Sequence, residues 1–129
     1  MFEVYLWIDG DGFDADTFQQ SVGSRLGGAV MTRKRMRDGI VEVSGKYWKS
    51  RVVQIDSGHP EDDLVKLLTQ LRPALAQIPK APTIRRMAEI VEELSDEHQP
   101  QGFFFAVDTI ELLAEMNFSL DIDVVRRLA

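Results

Sequence analysis

Two aspartates one residue apart, Asp9 and Asp11, stand in the run Ile8-Asp9-Gly10-Asp11-Gly12. Carboxylates at the end of an apolar strand offer the hard oxygen donors that a magnesium ion needs. The plainer reading is a turn with solvated carboxylates. A second pair, Asp121 and Asp123, lies on one side of an alternating segment near the carboxyl end, a spacing that suits a cation or a shared proton. The alternation explains this pair more economically as a solvent-facing row or as partners for arginines. The third candidate is basic, Arg33-Lys34-Arg35-Met36-Arg37. On a strand Arg33, Arg35 and Arg37 share one face, and Tyr47 and Trp48 on an adjacent strand would supply stacking to a nucleic acid base. His59 and His98 stand apart in polar stretches, away from any serine or second ligand at a triad or zinc spacing.

The elements that must position these groups follow from periodicity. Residues 2–9 alternate Phe2, Val4, Leu6, Ile8 with Glu3, Tyr5, Trp7, Asp9, which predicts a central strand. Asp14 or Asp16 caps a helix running to about residue 26, stopped by Gly27-Gly28. Residues 30–37, 40–43 and 47–55 predict a meander, with turns at Asp38-Gly39 and Ser44-Gly45. Pro60 and the acidic triplet behind it open a helix carrying Leu64, Leu67, Leu68, Leu71 and Leu75, which Pro73 should kink or divide. Ile84, Met87, Ile90, Val91 and Leu94 at helical spacing behind Thr83 predict another helix. A Phe-rich strand over 102–107 precedes the capping box Asp108-Thr109-Ile110-Glu111, whose helix Asn117 ends. Residues 118–124 then alternate, with Phe118, Leu120, Ile122 and Val124 toward the core. The order β-α-β-β-β-α-α-β-α-β predicts an α+β fold: a single-layer mixed, largely antiparallel sheet with helices packed on it, one domain over residues 1–129. Phe104, Leu113, Leu120 and Ile122 are expected in one core with Leu6 and Ile8.

Composition narrows the classes of function. With 44% hydrophobic residues in 129, the chain suffices for one ordinary core. No run approaches the roughly 20 apolar residues of a membrane helix, and the amino terminus lacks a signal peptide's basic start and apolar stretch. Absence of cysteine excludes disulfides and thiolate chemistry, and a cytoplasmic location is the expectation. From Arg25 to Arg51, eight basic residues against two acidic give +6, so the remainder carries -12 of the total -6. Such polarity means internal pairing across the sheet or a basic face offered to an acidic partner. A pI near 4.9 opposes general phosphate attraction, so nucleic acid ranks below protein as the partner of the basic strand.

Two resemblances bear on these residues. Asn117-Phe118-Ser119-Leu120-Asp121-Ile122-Asp123, behind a Phe-rich segment and a short helix, resembles the carboxy-terminal signature of the bacterial family called domain of unknown function 4279. The opening strand, the helix near Asp14, Arg33 to Arg37 with Asp38-Gly39, and the Trp48 strand are compatible with it. The resemblance implies a small bacterial α+β protein and carries over no catalytic residue. Asp9 and Asp11 resemble the first motif of haloacid-dehalogenase-type phosphatases, although Phe13 stands where that motif has threonine and the meander replaces its parallel array. As a calcium loop the same run has Phe13 at position five and Asp14 where glycine is required. Taken together, the residues lead to a non-enzymatic protein-binding domain without a cofactor, with a bacterial toxin-immunity or adaptor role as the specific expectation. Arg33, Arg35, Arg37 and Trp48 form its contact set, although Trp7 and Trp48 are read first as core residues. A magnesium-dependent phosphatase-like enzyme using Asp9 and Asp11 is the alternative, and nucleic-acid binding through the basic strand a further one. Asp121 and Asp123 are the weak candidates for a metal.

Overall fold

In the computed structural model, which describes residues 1–56, 58–95, 100 and 103–126, the chain forms an α+β fold. Strand β1 (Phe2–Gly10) is followed by α1 (Ala15–Val22), β2 (Ala29–Arg37), β3 (Ile40–Lys49), β4 (Val53–Ile55), α2 (Pro60–Leu75), β5 (Ile84–Leu94), α3 (Val107–Glu115) and β6 (Ser119–Arg126). The sheet runs β2-β3-β1-β5-β6, with β4 also on β1. It is antiparallel except between β5 and β6, which α3 joins as a parallel pair. Among the described residues no helix is long and apolar enough to cross a membrane.

Alternation decides which face is covered. Phe2, Val4, Leu6 and Ile8 of β1 are buried, as are Trp48, Ile84, Ala88 and Ile90 beside them, and they meet Phe18 of α1, the leucines of α2 and Leu113 of α3. All helices therefore lie on one face of the sheet, and the odd-numbered residues of β1 and β5 look out from the other. Strand β1 keeps partners along its length because β3 and β4 lie end to end beside it. Ser50 fills the gap between them: its amide donates to the Leu6 carbonyl at 2.9 Å and its Oγ accepts from the Leu6 amide at 2.8 Å. The third meander strand expected over 47–55 is thus broken there.

Local signals hold at several points. Asp14 caps α1, its Oδ1 accepting from the Thr17 amide at 3.1 Å, and that bond holds its carboxyl below the ordinary value. Asp38 and Gly39 both have positive φ, 52° and 77°, as a two-residue turn matched to strand twist requires. Asn117 ends α3 in the left-handed region at φ 62°. Pro73 neither divides α2 nor ends it, since the helix continues to Leu75 with Pro73 in its last turn.

Other expectations are overturned. Residues 84–94 form not a helix but the eleven-residue strand β5, paired with β1 along nine positions. The even residues of β5 are all buried, Arg86 and Glu92 included, so two charged side chains occupy the positions that would have shown a period of two. The segment 103–106 is not a strand. Phe103 packs edge-on against Phe2 and Phe105, while Phe104 is exposed. Helix α3 starts at Val107, and Asp108 does not cap it; the Ala106 amide donates instead to Glu61 Oε2 at 2.6 Å. Ser44-Gly45 is not a turn. Arg33 faces Gly45 and Lys34 faces Val43, leaving Ser44 as the extra residue of a bulge within one continuous β3. Helix α1 stops at Gly23, short of residue 26, and a single 3-10 turn follows. Leu120 and Ile122 are exposed, since β6 is an edge strand and only part of its inner face is covered. His98 lies outside the described residues.

Candidate functional site

The open face of the sheet gathers nearly every side chain with chemical potential. Its middle is aromatic, with Tyr5 and Trp7 on β1 and Tyr47 on β3. Lys49 places its ammonium 4.5 Å from the Tyr5 ring centre. Around this strip lie three charged groups.

The first is a sealed carboxylate. Asp9 is buried although it ends β1, because two arginines close over it. Arg85, its neighbour across the β1–β5 pair, donates from Nε to Oδ1 and from Nη2 to Oδ2, each at 3.0 Å, in the bidentate geometry suited to guanidinium and carboxylate. Arg33 also pairs with Oδ2. Both guanidiniums rest on aromatic faces, Arg33 at 4.8 Å from the Tyr47 centre and Arg85 at 5.6 Å from that of Trp7. Asp9 therefore has both oxygens paired with guanidiniums, although it still lines an open cleft with Asp16 and Lys46. Asp11, beyond Gly10, is exposed and lines the same cleft but takes no part in the arginine pairs that hold Asp9. Moreover, β1 is flanked by antiparallel strands, so the parallel array that would present both carboxylates to a phosphate is missing.

The second group is the β2–β3 hairpin. Residues 31–41 are all exposed, and β2 is an edge strand with one partner. Of the arginine row, Arg33 is withdrawn onto Asp9, Arg35 makes a loose 3.7 Å pair with Glu42, and Arg37 lies at the tip. Met36, Ile40, Val41 and Val43 beside them are 70%, 65%, 58% and 66% exposed. Trp48 does not belong to this surface. It is fully buried under α1, donating to Gln19 Oε1 at 2.6 Å and meeting Phe18 edge-on at 4.7 Å. Nor is Tyr47 a free stacking platform, since Arg33 covers it. The base-stacking pair expected for nucleic acid is therefore absent.

The third group is acidic. Asp121 and Asp123 of β6 face out beside Glu89 of β5, and one oxygen from each of the three lies within 4.8 Å of the others. Glu89 is only 7% exposed, and its Oε1 accepts from Trp7 Nε1 at 2.8 Å. Burial, then proton sharing with Asp121 and the negative charge of Asp121 and Asp123, push its carboxyl up to about 7 against the Trp7 bond. The folded protein thus holds a proton that the unfolded chain releases near 4.5, so this contribution to stability is complete below about 4.5 and is lost as pH rises through 7. Glu89→Gln, in metal-free buffer, is expected to flatten the pH dependence of the melting temperature between these limits. An unchanged profile would mean that Glu89 titrates as an ordinary carboxylate.

The acidic pair does not neutralise the arginine row. Strands β3, β1 and β5 stand between β2 and β6. At roughly 4.8 Å per strand the two edges are about 19 Å apart, beyond the screening length of about 8–10 Å in ordinary buffer. The charge asymmetry of the sequence is therefore a real polarity of the open face, basic at one edge and acidic at the other. Glu89 and Arg85 escaped sequence reasoning because their segment was assigned to a helix; an odd-residue row 85, 87, 89, 91 would have placed them beside Asp9 and Trp7.

No family model, no curated protein and no solved structure matches this chain.

Proposed function

We propose that the chain is a cytoplasmic binding protein that takes an acidic, extended segment of a protein partner along edge strand β2. The observation that carries this reading is the β2–β3 hairpin, which holds Lys34, Arg35 and Arg37 beside four exposed apolar side chains on an otherwise acidic molecule. An edge strand offers unpaired backbone groups to another strand, and an uncovered apolar surface next to them invites a partner. Arg35 and Arg37 supply steering and bidentate hydrogen bonds to carboxylates, while Met36 and Val41, opposite one another in the hairpin, supply the apolar contact. Arg33 and Trp48 leave the contact set for the reasons given above. The likeness to domain of unknown function 4279 rests on the residues 117–123, and a bacterial immunity or adaptor role is the specific form of the proposal.

A short peptide alternating glutamate and valine is the test ligand. Binding is expected to weaken steeply with salt, and the double variant Arg35→Ser, Arg37→Ser should lower affinity and flatten that dependence while its melting temperature stays near that of the parent. A melting temperature that falls sharply with binding untouched would make the arginines structural. The phosphatase alternative is separated by a generic phosphate ester with magnesium: turnover abolished by Asp9→Asn overturns the binding-only reading.

A further inference from the structure

We infer that Glu89, Asp121 and Asp123 form a binding site for a hard divalent cation of calcium type on the open face, where the parallel strands β5 and β6 meet. Register brings them together: Glu89 pairs with Asp121, and Asp123 is the next residue on the same face. Oxygens within 4.8 Å of one another fit around one ion. Oxygens bound to one calcium ion at about 2.3–2.6 Å each are at most about twice that far apart, so the cluster accommodates such an ion.

An acidic cluster alone would carry nothing, since most are merely solvated. The independent observation is the state of Glu89. It is more than nine-tenths buried, Trp7 donates to its Oε1, and its Oε2 is buried with no donor while the neighbouring Asp121 is ionised. A buried carboxylate oxygen left without a donor is costly, so something must satisfy it. A proton shared with Asp121 would neutralise one of three charges and leave Asp123 beside the remainder. Among the described residues no lysine or arginine pairs with any of the three, whereas Asp9 on the same face has two arginines. A divalent ion satisfies Oε2 and offsets the crowding at once, with water completing its shell on the exposed side. The Trp7 bond orients the buried ligand from behind, as second-sphere donors do at metal sites.

Terbium, a luminescent substitute for calcium, tests this directly, because the Trp7 indole adjoins Glu89 and can sensitise its emission. In buffer at about pH 8, where carboxylates are ionised, the full chain is expected to give saturable terbium emission that calcium displaces. Asp121→Asn and Asp123→Asn should each weaken binding by about tenfold or more. Emission that does not saturate, or that is the same in both variants, overturns the site and leaves a shared proton as what joins Glu89 to Asp121. Should either variant lose its cooperative melt, the parent decides: a melting temperature indifferent to calcium overturns the proposal as well.

Discussion

Trp48→Ala is expected to lower folding stability by about 3–5 kcal/mol, the range for deleting a large buried aromatic. Trp48 is the largest fully buried side chain, opposite Ile8 on β1 and Val30 on β2, with Phe18 edge-on against it. The backbone itself is fitted to the indole: at Gly28, φ 89°, a Cβ would come within 2.7 Å of the ring. Truncation would also strand the Gln19 oxygen that now accepts from the indole Nε1. Urea denaturation followed by far-ultraviolet circular dichroism measures this without depending on tryptophan emission. A loss under about 1 kcal/mol, the size typical of a surface substitution, would return Trp48 to the contact surface from which the fold removes it.

Arg86→Ala is expected to cost about 2–4 kcal/mol, through a different route. Arg86 points from β5 into the helix-covered side and is buried, which lowers its pKa from the ordinary value by desolvation. Its Nη1 donates to the Met116 carbonyl and its Nη2 to the Ile78 carbonyl, both at 3.1 Å, so one guanidinium holds the end of α3 and the segment after α2 against the sheet. Removing it leaves both carbonyls without that donor and a cavity beneath them. Arg86→Lys should recover part of the loss, because one ammonium serves both acceptors less well than a planar fork. Hydrogen exchange at the Asn117 and Phe118 amides, which close the turn after α3, should quicken in step with the loss. If stability falls while those amides stay protected, the guanidinium acts only by filling space.

These two residues also mark where the sequence was legible. Trp48 reads as core and yet also stands among the expected contact residues, and the fold bears out only the first reading. The Asp38-Gly39 turn, the leucines of α2 and the alternation of β1 were plain because each is encoded within a few neighbouring positions. Arg86 was not legible. A buried arginine and a buried glutamate, Glu92, sit where hydrophobic residues would have declared a strand, and the Met116 carbonyl that Arg86 serves lies 30 residues away. That misassignment hid Arg85 and Glu89, and with them the sealed Asp9 and the third carboxylate beside Asp121 and Asp123. The strand order was likewise beyond reach, since nothing local says that three strands separate the arginine row from the aspartates meant to balance it. For the hairpin, the arginines were found from charge, but the exposure of Met36, Val41 and Val43 depends on how far it extends past the covering helices.

Backbone hydrogen exchange of the chain with and without the acidic valine-containing peptide tests strand addition along β2 most directly. The expected result is new protection at every second amide of Ala29–Arg37, the period of an edge strand gaining a neighbour, strongest at low ionic strength and absent with Arg35→Ser, Arg37→Ser. Protection confined to another element, or none on β2 at saturating peptide, would contradict it.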